Sequence, residues 1–172
     1  MEHLEEPWLR GPIPGVHPLV APVLYAFRQA REDLARWTAP LTIAELWAEP
    51  NGFGSPGFHI RHIGGSTRRL MAYVQGRSLT DDELAAARRE HEPGATRDEL
   101  LAELDAALTE AEAIIRRLDP STLTEARTVG RKNLPSTVIG LLTHIAEHTQ
   151  RHTGQAISEA KWRKAANATS MT

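Results

Sequence analysis

Residues 96–120 have the sequence TRDELLAELDAALTEAEAIIRRLDP, which is the clearest helical pattern in the chain. Thr96 and Glu99 have the spacing of a capping box at a helix N-terminus, and the Asp119-Pro120 pair is typical of a helix end. Between these signals, apolar side chains recur every three or four residues and form one stripe, made of Leu100, Leu101, Leu104, Leu108, Ala111, Ile115 and Leu118. The stretch therefore predicts a long amphipathic helix.

The same helical spacing recurs on both sides of this stretch. Thr42 and Thr80 are each followed three residues later by Glu, a capping-box spacing. The first box predicts a short turn at 42–48, and the second predicts a short helix that ends near Pro93-Gly94. Residues 120–134 form a long connection with only a weak β signal near Val129. Apolar periodicity predicts three further long helices, over about 18–38, 56–76 and 135–164. Four long amphipathic helices, short extra helices and no convincing strand predict an all-α four-helix bundle.

The composition is that of an ordinary globular protein. The 172 residues are 41% hydrophobic and 24% charged, which is one domain's length and balance. The net charge of -2 gives no basic footprint for nucleic acid. The chain has no cysteine, which excludes disulfides, a cysteine nucleophile and thiolate metal ligands.

The same sequence features indicate where the protein works. No stretch approaches the roughly 18 apolar residues of a membrane span, and the acidic N-terminus lacks the profile of a signal peptide. We therefore expect a cytoplasmic protein with a single domain over 1–172. Its core would span about 18–164, between a flexible N-terminal arm and a flexible C-terminal tail.

Three of the eight histidines lie in the last predicted helix. At 100° per residue, His152 falls near the middle of the buried stripe, His148 at its edge, and His144 toward solvent. Two imidazoles on an inward face need partners for their polar atoms. A divalent metal would be such a partner, because neutral imidazole binds zinc, nickel, copper or iron. Hydrogen bonds to a carbonyl or carboxylate are the alternative.

A third histidine ligand would have to come from another helix, and FHIRHIGG at 58–65 offers two. His62 is the better inward candidate, because its neighbours one and two turns later avoid the arginine side of the helix. His59 would then line the pocket or contact water. The Gly64-Gly65 pair is unusual inside a helix. It would allow a close helix approach or provide room for substrate, or it would simply weaken the helix.

Two charged segments carry weaker signals. His91 lies among the charges of REHEP at 89–93 and is interpreted as solvated. Arg127, Arg131 and Lys132 in the long connection could contact an anionic substrate, with a solvated loop as the alternative.

Two stretches resemble the motifs of one family. HTQRHTGQ at 148–155 is similar to the HxxxHxGQ signature of the DinB/YfiT-like metalloenzyme family, and SPGFHIRHIGGS at 55–66 resembles that family's second-helix motif. The likeness in layout extends from about 18 to 160. It implies an up-down-down-up bundle, often a homodimer, with a metal site that falls on His62, His148 and His152. Thr153 departs from the pattern, since many members have Arg there.

The resemblance also implies a small-molecule substrate and a divalent metal ion, zinc or nickel first and iron or manganese otherwise. The leading interpretation is thiol-dependent S-transferase chemistry on a small electrophile, with a low-molecular-weight thiol as co-substrate. The alternatives are a metal-dependent hydrolase and a non-catalytic metal-binding stress-response module. No residue is assigned as catalytic, although Gln155 and His144 could orient a ligand or substrate.

The first helix adds an argument for a homodimer. It is apolar on more than one side, through Val20, Val23, Leu24, Tyr25 and Phe27. That is more apolar surface than a small bundle needs to bury.

Overall fold

The structure, a computed structural model, describes residues 5–49, 52 and 54–169, with side chains through residue 165. Within these residues, two strands form an antiparallel hairpin and the rest of the regular structure is helical. None of the described helices is long and apolar enough to cross a membrane. The main elements are α1 (Ala21–Trp37), α2 (Ile43–Trp47), α3 (Pro56–Val74), α4 (Asp81–Arg88), α5 (Arg97–Ile115), β1 (Ala126–Val129), β2 (Leu134–Thr137) and α6 (Val138–Thr169).

Side-chain caps begin the helices at the predicted positions. The side chains of Thr42, Thr80 and Thr96 each accept a hydrogen bond from the backbone N–H of the Glu three residues later. The side chain of that Glu in turn accepts a hydrogen bond from the backbone N–H of the Thr. Ser55 accepts from the backbone N–H of Phe58 and begins α3. An N-cap of this kind contributes about 1 kcal/mol to helix stability.

Side-chain contacts define the directions of the four long helices. α1 and α6 run parallel, because Gln150 bonds the carbonyl of Ala26 at 2.8 Å while eleven residues later Lys161 lies over the ring of Trp37. α3 runs against α6, as two histidine pairs show: His59 with His152 and His62 with His148. α5 runs parallel to α3, as two ion pairs show: Arg61 with Glu103 and Arg68 with Glu110. The order is up-down-down-up, which confirms the predicted topology.

The stripe of α5 forms part of the core. Most of its members are at most 3% exposed: Leu100, Leu104, Leu108, Ala111 and Ile115. α3 approaches this helix closely at Gly64, where a Cβ would lie 3.4 Å from the Cβ of Ala107. A larger side chain than alanine would push the two helices apart, so the close approach expected of this glycine is confirmed.

The N-terminal arm covers the apolar surface of α1. Ile13 is 3% exposed within the core, and Tyr25 donates its hydroxyl hydrogen to the carbonyl of Gly11 at 2.9 Å. The other apolar residues of the first helix are at most 3% exposed: Val20, Val23, Leu24 and Phe27. One chain therefore buries the excess apolar surface that favoured a dimer, and the homodimer stays a prediction from the family resemblance.

The long connection differs from the sequence prediction. Strand β1 pairs with β2, so α6 begins at Val138 instead of 135, and it continues to Thr169 instead of ending near 164. Gly130 and Asn133 have positive φ values of 68° and 48°, which turn the chain in the four-residue loop of the hairpin. Arg127 donates to the carbonyl of Val74 at 2.8 Å. It anchors the hairpin to the end of α3 and does not face a substrate site.

Candidate metal centre

The three histidines predicted as ligands lie together between α3 and α6. His62, His148 and His152 each offer one ligand atom, and these atoms lie within 4.8 Å of one another. The Nε2 atoms of His62 and His148 are 3.3 Å apart, and the ring of His152 is centred 4.5 Å from each of the other two. All three side chains are partly buried. The cluster is thus compact and still open on one side.

Each of these three rings has its Nδ1 atom next to a second residue. The partners are Glu90 Oε2 at 2.6 Å from His62, Ser66 Oγ at 3.3 Å from His148, and His59 Nδ1 at 2.9 Å from His152. Partners of this kind fix the tautomer and the orientation of a metal-binding histidine. The Nε2 atoms remain as the ligand atoms. His59 therefore lies beside the cluster, behind His152, as a pocket residue.

Glu90 is the site residue that sequence reasoning missed, since it stands among charges next to His91, which was interpreted as solvated. Its side chain is 5% exposed, and its second oxygen accepts a hydrogen bond from Arg69 at 2.5 Å. Burial alone would raise the pKa of this carboxyl, but the hydrogen bonds from His62 and Arg69 outweigh burial and lower it. Glu90 is therefore a buried carboxylate held between two donors.

Gly65 explains how a carboxylate reaches this position. A Cβ on Gly65 would lie 2.2 Å from Glu90 Oε1, closer than real atoms approach. A glycine in this helical position is thus required by the neighbouring carboxylate. The unusual glycine pair was the one sequence signal that could have indicated a buried group here.

Burial keeps three histidines around the site neutral. Burial first, and the neighbouring imidazoles second, lower the pKa of His59, His148 and His152 to about 4. All three rings are uncharged at neutral pH, the form that binds metal.

The remaining candidates are at the rim of the cluster or outside it. His144 has a side chain 48% exposed, and its Nδ1 lies 3.3 Å from Glu147; its ring is centred 5.4 Å from that of His148. Gln155 is exposed, and its side chain makes no hydrogen bond to the described residues. Thr153 is buried and donates its hydroxyl to the backbone one turn earlier. The structure thus places His144 at the rim and gives Gln155 no role in the cluster.

An aromatic side chain covers one side of the cluster. The ring of Phe58 is stacked on the ring of His62 with centroids 5.1 Å apart. It is also stacked on the ring of His91, with centroids 3.9 Å apart. His91 is exposed, as the sequence predicts, yet it and Glu90 place the segment after α4 against the start of α3. This side of the site is therefore closed by residues 89–93.

The carboxylates that interact with the cluster are both paired with arginines. Glu90 bonds Arg69, and exposed Glu147 bonds Arg151. Among the residues that the structure describes, these two carboxylates therefore offer no unpaired group as a proton acceptor.

Fold and site together define a class of protein: an up-down-down-up helical bundle with a histidine triad that could hold a divalent metal ion. The chain belongs to the DinB superfamily, whose family model matches residues 26–156. The resemblance seen in the two sequence motifs is thereby confirmed.

One solved structure shows the same fold. YfiT from Bacillus subtilis, described as a probable metal-dependent hydrolase with an unusual four-helix bundle topology, superimposes with a TM-score of 0.66. The match covers 90% of this chain and 93% of that one at 14% identity, so it concerns the fold alone. No curated protein sequence matches the chain.

Proposed function

We propose that the protein is a divalent-metal-dependent enzyme that joins a small thiol to an electrophile. The observation that carries the proposal is the triad of His62, His148 and His152, whose ligand atoms lie within 4.8 Å of one another. Neutral imidazoles suit zinc, nickel or iron, and the family resemblance adds manganese as a further possibility. The donor set therefore fits a resident divalent ion.

The ion would supply Lewis-acid chemistry, because three neutral ligands leave it a position at which the pKa of a thiol or water is lowered. The chain supplies orientation. Glu90 accepts a hydrogen bond from Nδ1–H of His62. Ser66 aligns the ring of His148, and His59 aligns the ring of His152. The stacked ring of Phe58 restricts water on one side of the site.

The state of the carboxylates favours a thiol over water as the nucleophile. A free thiol has a pKa of about 8.5, whereas that of water is about 15.7, so the ion would have to lower the pKa of water much further before it ionises without a neighbouring base. Glu90 and Glu147 are both paired with arginines and are poor proton acceptors. In the proposed step, the sulfur forms a new bond to carbon and its proton passes to solvent. The leaving group departs with the electron pair of the broken bond.

Metal-dependent hydrolysis is the second candidate, and the description of YfiT favours it. Water would then attack an ester or amide carbon, and the leaving group would take up a proton. A catalytically inert metal-binding module is the third reading of the same site.

The test measures product mass after incubation with zinc- or nickel-loaded protein. The substrates are 1-chloro-2,4-dinitrobenzene and p-nitrophenyl acetate, each with and without a small thiol. A thioether formed faster than with the His148→Ala variant supports transfer, and acetate formed equally without thiol supports hydrolysis. If neither product exceeds the variant with zinc, nickel, iron or manganese, the protein is a binding module.

A further inference from the structure

A second cavity lies at the end of the bundle where α1 terminates against α6. It has a volume of about 330 Å³, which suits a small ligand. Its walls are formed by Arg36, Trp37, Pro40, Ala160, Lys161 and Lys164. The histidine triad lies between α3 and α6, whereas this cavity lies between α1 and α6.

Another cavity, of about 430 Å³, lies beside Gly64 and Gly65. The two cavities differ in charge. The one beside the glycines is lined by as many glutamates as arginines, whereas the one between α1 and α6 is lined by three cations and no carboxylate.

The three cations have no carboxylate partner among the residues that the structure describes. Glu32, one turn before Arg36, is the natural partner for it, but both Glu32 oxygens accept hydrogen bonds from Arg10, at 2.5 and 2.7 Å. Arg36 and Lys161 instead lie over the same ring of Trp37, at 5.0 and 4.0 Å from its centroid. Two like charges therefore share one aromatic ring, and Lys164 follows one turn later on α6.

The helix dipole accounts for only one of these charges. α1 ends at Trp37, so its carbonyl end stabilises Arg36. Lys161 and Lys164 precede the end of α6, which continues to Thr169. Their placement beside Arg36 brings three positive charges together with no ion pair to a carboxylate among the described residues.

The remaining walls of the cavity are apolar. The half-buried ring of Trp37 and the side chains of Pro40 and Ala160 provide them, and Ala160 is only 3% exposed. A ligand that fits the cavity would therefore combine two parts. A flat apolar body would match these walls, and a negative group would match the three cations.

We propose that this cavity binds a small organic anion, a carboxylate, sulfonate or phosphate attached to a flat apolar body. The anion neutralises Arg36, Lys161 and Lys164, and its body packs against Trp37. The site is separate from the histidine triad, so its occupancy requires neither metal nor turnover.

The test compares two fluorescent probes with the same aromatic body. 1-Anilinonaphthalene-8-sulfonate carries the negative group, and N-phenyl-1-naphthylamine lacks it. Both are titrated into the metal-free full chain and into the double variant Lys161→Gln/Lys164→Gln. Lys132→Gln, in the exposed hairpin loop, is the matched control for the loss of a surface charge. Circular dichroism confirms that each variant is folded.

We expect the sulfonate to bind at one site, and its dissociation constant to rise roughly tenfold in the double variant, as for the loss of partly exposed charge pairs. Lys132→Gln should bind it like the original protein, and the neutral probe should bind the original and the double variant alike. The proposal is overturned if the sulfonate does not bind, if the double variant binds it unchanged, or if Lys132→Gln weakens it equally.

Discussion

Replacing Gly65 by alanine tests how Glu90 supports the histidine triad. The new Cβ would lie 2.2 Å from Glu90 Oε1, and atoms of this kind do not approach within 3.0 Å. The carboxylate must therefore move by about 0.8 Å. We expect a displacement of this size to lengthen or break at least one of the present bonds of the carboxylate, 2.5 Å to Arg69 and 2.6 Å to His62.

The expected consequence is weaker metal binding with the fold retained. Loss of a partner that orients a metal-binding histidine costs roughly 10- to 100-fold in metal affinity, or about 1.4–2.7 kcal/mol. Alanine gains up to about 1 kcal/mol of helix propensity over glycine, which opposes the loss of the buried bonds. The variant should thus fold and bind metal poorly.

Gly64→Ala is the matched control, because it makes the same substitution one residue earlier. Its Cβ would lie 3.4 Å from that of Ala107, an ordinary contact, and it leaves Glu90 in place. Zinc titration by calorimetry at pH 7.5, with circular dichroism to confirm folding, should show near-normal affinity for this variant.

A second variant keeps the test decisive if Gly65→Ala does not fold. Glu90→Gln preserves the volume, but its amide N–H groups would face the donors of Arg69 or His62. It should weaken zinc binding to a similar degree. Unchanged affinity in both Gly65→Ala and Glu90→Gln would refute the role given to Glu90.

Three further predictions concern the same protein. Metal analysis should show lost occupancy in His62→Ala, His148→Ala and His152→Ala, while His144→Ala keeps its metal; equal loss in His144→Ala would contradict the ligand assignment. For the metal-free protein, the pKa of about 4 for His59, His148 and His152 lies below the unfolded value of about 6.5, so the unfolded chain binds more protons between these values. Its free energy of unfolding should therefore fall as the pH is lowered from about 6.5 to 4, which urea unfolding at pH 7 and pH 5 would show; equal values would contradict it. Light scattering at micromolar concentration should give the mass of a homodimer, and a monomer mass would remove that prediction.

Features that depend on neighbouring residues were predictable from the sequence, whereas features that depend on distant residues were not. The capping boxes at Thr80 and Thr96 begin their helices as predicted, because each box is a hydrogen-bond pattern within four residues. The box at Thr42 begins a short helix where the sequence predicted a short turn. The inward faces of His148 and His152 were predictable for a similar reason, since helical periodicity orients every side chain relative to its neighbours.

The hairpin lay beyond this local information. Pro135 was expected to open the last helix, but it pairs with Thr128 in the two-stranded sheet. The N–H groups of Val138 and Ile139 at the start of α6 then bond the carbonyls of Glu125 and Leu123. These bonds join residues more than ten positions apart, so no short window of sequence contains both partners.

The position of Glu90 was decided only by the tertiary structure. In the sequence it stands among charges that favour solvent, and 25 positions separate it from Gly65. Folding brings it into the space that this glycine leaves, where Arg69 and His62 stabilise its charge. The sequence by itself determined which histidines face inward, because that depends on the period of one helix. The packing of α3 against the segment after α4 determined that Glu90 is the carboxylate that orients His62, because burial of a charge depends on donors that only the folded chain brings together.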